Sequence, residues 1–211
     1  MKTAPATERH PADEAGNSLR ALRVAAAHCK ACPLWKNATQ TVFGEGPAHP
    51  AIMLVGEQPG DREDIAGHPF VGPAGEVLRR ALAQAGIARS SLYVTNAVKH
   101  FKFEPRGKRR MHKKPADAEI EACRRWLERE IELAAPPLLI ALGATAARAL
   151  LGRPTPIGAN RGRLIEFAPH TALLITVHPS FLLRVPDAAK EAEYRRFVSD
   201  LGLAKGFLTR G

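Results

Sequence analysis

Four short stretches of this sequence set reactive side chains beside glycine, proline or fixed positive charge. GEQPGD (56–61) carries Glu57, Gln58 and Asp61 between and after two glycines. Carboxylates in such a turn can stabilise a cation or orient a nucleophile. NAVKH begins with Asn96, whose amide both donates and accepts, and ends with His100. HPSFLLR opens on His178, an imidazole able to donate to a developing anion, and closes on Arg184. GKRRMHKK (107–114) embeds His112 among Lys108, Arg109, Arg110, Lys113 and Lys114. An imidazole adds little charge at pH 7, but it is a good nucleophile, and cationic neighbours favour its neutral form. Taken singly, each stretch is also an ordinary turn or a solvated loop. GEQPGD is not a P-loop, since no GK[ST] follows it.

Three of these stretches follow apolar runs of strand length. AIMLVG (51–56), SLYVTNAV (91–98), PPLLIALG (136–143), RLIEF (163–167) and ALLITV (172–177) read as strands. Between them lie helical patterns. One starts near Ser18 and runs to about Ala27; GPAGEVLRRALAQAG has Gly86 as its C-cap; a third is capped by Asp117 and carries Ile120, Cys123, Leu127 and Ile131 on one face. ATAARALLG is a short helix, and the last spans 187–204. Strands alternating with helices predict a three-layer α/β/α fold with a central, mainly parallel sheet. Ligands of such sheets bind where loops leave the carboxyl ends of the strands, which is where GEQPGD, NAVKH, GAT and HPSFLLR fall. Residues 1–17 read as a disordered tail and 18–211 as one domain.

The chain has 211 residues and a formal net charge of +10. From Lys99 to Lys114 there are eight Lys or Arg residues and one Glu, a net +7 in sixteen residues. So local an excess suggests an anionic partner, with nucleic acid first, since neutralising closely spaced phosphates releases counterions. A solvated basic loop or an acidic protein partner remains the alternative. Residues 1–17 lack the apolar stretch of a signal peptide, and the longest uncharged apolar run, Leu133 to Ala147, contains Pro136-Pro137 and is too short to span a bilayer. A cytoplasmic, nucleoid-associated monomer with no membrane partner is therefore expected. Three cysteines make a disulfide framework unlikely for such a chain, leaving metal ligation or simple burial. Cys29-Lys-Ala-Cys32 has metal-ligand spacing, and Cys123 supplies a third thiol. By spacing alone, zinc fits a three-cysteine, one-histidine set as well as an iron–sulfur cluster does.

GEQPGD, GHPFVGPAGEVL, LYVTNAVKHFKF and HPSFLLR together resemble the uracil-DNA glycosylase superfamily. The Cys-x-x-Cys resembles its iron–sulfur branch, related to the family 4 enzymes. KRRMH narrows the resemblance to the UdgX-type proteins, which attach covalently to uracil-containing DNA. The resemblance implies a [4Fe–4S] cluster on Cys29, Cys32, His100 and Cys123, with His100 standing where family 4 enzymes have cysteine. It implies that Phe70 stacks on a flipped-out or single-stranded uracil, which Asn96 and Gln58 contact. Asn96 would discriminate against cytosine, whose donor and acceptor pattern is reversed. His178 would donate to the departing base, and Glu57 and Asp61 would lie on the sugar side. Lys108, Arg109, Arg110 and Arg184 would hold phosphates, with Leu182 or Leu183 as the apolar wedge. His112 would capture the cationic C1′ and leave a protein–DNA adduct. The alternatives are a turnover glycosylase of family 4 type and a non-catalytic binder of uracil-containing or single-stranded DNA.

Overall fold

The computed structural model describes residues 10–209. Helix α1 (Leu19–Ala26) precedes β1 (Ile52–Gly56), α2 (Asp61–Ala66), α3 (Pro73–Gln84) and β2 (Leu92–Asn96). A two-stranded hairpin, β3 (Phe103–Arg106) and β4 (Arg109–His112), leads to α4 (Asp117–Ala134) and β5 (Leu138–Leu142). Then come α5 (Ala144–Leu151), α6 (Ile157–Asn160), β6 (Arg163–Ala168), β7 (Thr171–Thr176), α7 (Pro179–Leu182) and α8 (Asp187–Leu208).

The main sheet has the order β2-β1-β5-β7-β6. Its first four strands are parallel, and β6 runs antiparallel to β7. Only Pro169 and His170 join β6 to β7, too few residues for a parallel crossover, and His170 turns the chain with φ 65°. The strands are apolar throughout because both faces of the sheet are covered. Met53, Val55, Tyr93, Leu139, Ala141, Leu173 and Ile175 face α1, α4 and α5. Their alternates Ile52, Leu54, Leu92, Val94, Leu138, Ile140 and Leu174 face α3 and α8. This is the three-layer α/β/α fold with a mainly parallel sheet. The chain steps from β1 to β2 on one side and later to β5 on the other, so the strand order reverses at the carboxyl end of β1.

Several local expectations differ from the structure. Of the expected tail, residues 1–9 lie outside the described residues, whereas 10–17 pack onto α4. Ala12 is fully buried, the His10 ring lies edge-on to Trp126 at 5.2 Å, and Asp13 pairs with Arg125. Trp126 offers an apolar face that this short segment covers. Asp117 is the first residue of α4 rather than its cap; the Ala116 N–H donates to Glu119 at 2.6 Å, and Asp117 pairs with Arg148 instead. The last helix runs on to Leu208, and HPSFLLR contains the short helix α7. The basic segment is a hairpin, turned by Gly107 at φ 60°.

A buried ion pair closes the space between β2 and α4. The Lys99 ammonium, 1% exposed, pairs with the fully buried Glu130 and donates to Thr95 Oγ1 at 2.7 Å and to the Asn96 carbonyl at 2.8 Å. Glu130 also accepts from Tyr93 Oη at 2.8 Å, Thr95 Oγ1 at 3.0 Å and the Gly44 N–H at 3.2 Å. A Cβ on Gly44 would lie 2.4 Å from Glu130 Oε1, so the close approach requires glycine. Lys99→Met strands the Glu130 charge and should cost about 3–5 kcal/mol in urea denaturation. A Lys99→Met/Glu130→Leu double variant should recover only part of that loss, because Tyr93, Thr95 and Gly44 keep unpaired donors. Full recovery would mean the pair has no effect beyond filling space.

Candidate active site

The carboxyl ends of β1, β2 and β7 open into a cavity of about 510 Å³. Glu57, Gln58, Asp61, Phe70, Asn96, His112, His178 and Arg184 all line it. In register, Gly56 at the end of β1 lies beside Asn96 at the end of β2. Asn96 is 2% exposed, yet its side-chain amide has no hydrogen-bond partner among the described residues. The amide itself is not enclosed and faces the open cavity. Its donor and acceptor are available to whatever enters the cavity. Phe70 is held beside it with φ 57°, a conformation uncommon for a bulky side chain. Gly75 on α3 permits this, since a Cβ there would fall 1.7 Å from the Phe70 carbonyl oxygen.

Glu57 follows β1 and faces two partners. Thr145, at the start of α5, donates to Oε2 at 2.5 Å, and His112 Nε2 lies 3.3 Å from Oε1. Burial works against the Glu57 charge, but the hydrogen bonds from His112 and Thr145 outweigh it and hold the carboxyl below its ordinary value. Glu57 is therefore ionised, and His112 Nε2 is the ring nitrogen that faces it. The sequence surrounds His112 with cations; in space its facing charge is this carboxylate.

His178 follows β7, and its ring lies 6.0 Å from that of Phe70. Its Nδ1 accepts from the Ser180 backbone N–H at 3.2 Å and lies 2.8 Å from Ser180 Oγ. A nitrogen that accepts from a backbone N–H carries no proton, so Nε2 is the N–H donor of the ring. Burial, opposed by Glu57 and helped by His112 and Arg184, lowers the imidazole to about 4. His178 is thus a neutral donor at neutral pH.

Two expected contacts are engaged elsewhere. Gln58 lines the cavity, but its amide is occupied. Nε2 donates to the carbonyls of Lys102 at 3.1 Å and Lys113 at 3.0 Å, and Oε1 accepts from Lys102 N at 3.1 Å. Gln58 thereby clips the two ends of the β3–β4 hairpin to the end of β1. Arg110, expected on a phosphate, instead pairs with Asp61 and with the buried Asp64 at 2.6 Å. Its guanidinium also lies over the rings of Phe101 and Phe103, at 5.5 and 5.1 Å. Asp61 accordingly faces Arg110 rather than being left free for a sugar. Lys108 and Arg109 sit exposed at the hairpin turn, and Arg184 is exposed at the cavity mouth. Leu182 is 3% exposed and packs in the core, whereas Leu183 is 45% exposed at the mouth, so of the two expected wedge candidates only Leu183 is accessible. Thr145 and Ser180, which orient Glu57 and His178, were visible in GAT and HPS only as strand-end hydroxyls.

Cys29, Cys32 and Cys123 are buried free thiols on the α4 side of the sheet, close enough to act on one another electrostatically. Two of them accept N–H bonds: Cys29 from Trp126 Nε1 at 3.1 Å, and Cys123 from Lys99 N at 3.2 Å. Burial pushes the Cys123 thiol up to about 12. His100, also buried, places Nε2 2.9 Å from Thr41 Oγ1, whose hydroxyl donates to the Ala26 carbonyl. That leaves Thr41 to accept from His100, with the ring's lone pair on Nδ1. Among the described residues no group of three or more His, Cys, Asp or Glu is arranged to hold a single metal ion.

The family model described as the uracil DNA glycosylase superfamily matches residues 43–202. A type-4 uracil-DNA glycosylase of Thermotoga maritima is 39% identical over 184 residues, covering 86% of this chain and 90% of that protein. One from Pyrobaculum aerophilum is 37% identical, covering 80% and 86%, and one from Archaeoglobus fulgidus is 33% identical, covering 78% and 83%.

The state of His178 has a measurable consequence. Between 6.5 and about 4 the unfolded chain holds a proton on this ring that the folded chain excludes, so its contribution to stability is full above 6.5 and falls as pH drops through that window. Urea titrations should therefore show a steeper acid loss for the wild type than for His178→Asn. Nitrogen NMR midway through the window should find Nδ1 unprotonated. A His178 ring titrating near its ordinary value would remove the neutral-donor assignment.

Proposed function

Since this chain belongs to the uracil DNA glycosylase superfamily, we propose that it excises uracil from DNA and captures the resulting sugar through His112. The observation that carries the excision is the unpartnered Asn96 amide, beside Phe70 and a neutral His178 in a cavity large enough for a nucleobase. Uracil swings out of the stack and lies against Phe70. The Asn96 amide donates to a uracil carbonyl and accepts from the ring N–H; cytosine would leave both unmatched. As the C1′–N1 bond breaks, its electron pair leaves on the base, and the His178 Nε2–H donates to the uracil oxygen that gains charge. Ionised Glu57 stabilises the cationic sugar across the cavity.

His112 supports the capture step by its place, 3.3 Å from Glu57 in the wall of the same cavity. Its unprotonated nitrogen gives a lone pair to C1′, forming an N–C1′ bond and an imidazolium. Glu57 faces the remaining N–H and balances that charge. Lys108, Arg109 and Arg184 make no ion pair among the described residues and are the phosphate contacts in this reading. A second reading, release of uracil with turnover, is favoured by the relatives, which are named type-4 uracil-DNA glycosylases.

The buried thiols support a [4Fe–4S] cluster on Cys29, Cys32 and Cys123, with His100 through Nδ1 as fourth ligand. Two of the sulfurs already accept N–H bonds, as cluster thiolates do, and the cationic irons would offset the burial that opposes their charge. When bound, such a cluster supplies cross-links between α4, the loop after β2 and the N-terminal segment. His100 and Cys123 flank the hairpin, so both of its ends would be fixed.

His112→Ser should abolish a heat-stable shifted band on denaturing gels of uracil oligonucleotides, while uracil is still released and the strand becomes cleavable by alkali. His178→Ala should slow both outcomes. A crosslink retained by His112→Ser would identify another nucleophile, and a wild type that releases uracil without any band would establish turnover. Protein prepared anaerobically should be brown and hold ~4 iron atoms per chain, as a [4Fe–4S] centre requires. One zinc and no iron would refute the cluster.

A further inference from the structure

A second cleft of about 410 Å³ lies between α3, α7 and α8. It adjoins the active-site cavity, because the exposed Leu183 lines both. Helix α3 also joins them: Pro73 and Ala74 face the cavity, and Val77 and Arg80, about one and two turns further, face the cleft. The walls combine an aromatic ring with cations. Tyr194 is half-buried, and the Arg80 guanidinium lies 5.9 Å from its ring centroid. Arg80 makes no ion pair among the described residues. Lys190 and Arg195 meet only Asp187 at 3.2 Å and Glu191 at 3.9 Å, pairs that are largely exposed. Exposed pairs of this kind contribute little and exchange readily for a phosphate.

An aromatic face among unpaired or weakly paired cations is the chemistry that binds single-stranded nucleic acid, by base stacking and phosphate neutralisation. We propose that this cleft is a second subsite for the strand that carries the uracil. It takes a nucleotide flanking the target on one side, with the base on Tyr194 and its phosphates on Arg80 and Arg195. Leu183 is the ridge between the two subsites, separating the extruded base from its neighbour. The uracil strand is the occupant because the cleft continues from the cavity that holds its base. The assignment of that strand depends on the uracil-excision reading.

The test compares single-stranded oligonucleotides containing 2′-fluoro-2′-deoxyuridine, whose fluorine blocks cleavage. The analogue as a single nucleotide with 5′- and 3′-phosphates is extended by four nucleotides on the 5′ side or on the 3′ side, and binding is read by competition in fluorescence anisotropy. The wild type should gain on the order of tenfold in affinity from extension on one side only, within the range known for one stacked base. Tyr194→Ala and Arg80→Gln should each remove most of that gain, Tyr194→Phe should keep it, and all should bind the single nucleotide like the wild type. Arg80→Gln should also lower the salt slope by ~0.7 for the lost phosphate. No gain on either side, a gain that the Ala and Gln variants retain, or equal losses on the single nucleotide would overturn the subsite. Arg80 is exposed, so its variant folds even if Tyr194→Ala does not. If the single nucleotide shows no preference for uracil over thymine, the uracil reading fails on its own, while the one-sided gain still reports on the cleft.

Discussion

The cavity depends on how closely two parallel strands and the loop beyond them approach at one level. Gly56 and Asn96 are register partners at the ends of β1 and β2. A Cβ on Gly56 would lie 2.3 Å from Asn96 Oδ1 and 2.6 Å from Phe70 Cζ. The missing side chain is what lets the Asn96 amide and the Phe70 ring converge on one small volume. Similar spacing recurs beside His178, where Gly143 follows β5 with φ 92° and a Cβ would sit 3.0 Å from that of His178. A sheet covered on both faces holds these strand ends firmly, and each glycine converts that firmness into proximity.

Charge along the chain and charge in space are different quantities here. Of the eight cations between Lys99 and Lys114, four find carboxylates: Lys99 with Glu130, Lys102 with Glu119, Arg110 with Asp61 and Asp64, and Lys113 with Glu104. Those four build the base of the hairpin. Arg106, Lys108, Arg109 and Lys114 make no ion pair among the described residues, and the first three lie at or beside the turn. A two-stranded hairpin is marginal by itself. Its position comes from the Arg110 bridge, from Gln58, and from the Phe101 ring, which stacks on Phe103 at 5.2 Å and lies 6.1 Å from the His112 ring.

The strands were legible because burial on both faces leaves continuous apolar runs, and the cavity was legible because polar residues ended three of them. The hairpin was not. Its alternation, Phe-Glu-Pro-Arg then Arg-Arg-Met-His around a Gly-Lys turn, is there to be read, but a net charge of +7 makes the segment look like a solvated loop. Residues 10–17 escape a reading by composition for a related reason: composition speaks to average burial, whereas the His10 ring against Trp126, the buried Ala12 and the Asp13–Arg125 pair hold this short segment. Gln58 and Arg110 are engaged by partners within the chain that the sequence does not announce. Sequence shows that a side chain can bond but not which acceptor arrives first, and here backbone carbonyls and two aspartates do.

This division of labour bears on which chemical outcome follows base expulsion. Glu57, Asn96 and His178 belong to the strand ends, where small displacements would spoil the donor and acceptor geometry. His112 belongs to an arm outside the sheet, fastened by Gln58 and by Arg110. Among the described residues the two sets make direct contact at Glu57, whose opposite oxygens face Thr145 from the sheet side and His112 from the arm. In the proposed excision reading, a cation formed at C1′ meets whichever lone pair stands across from that shared carboxylate. If the arm presents imidazole, the lone pair is nitrogen's and the product is an adduct; if it presents a small side chain, water occupies the space and the product is a free sugar. The strand-end apparatus needs no change between these outcomes, so the choice between capture and turnover can reside in a single position on the hairpin.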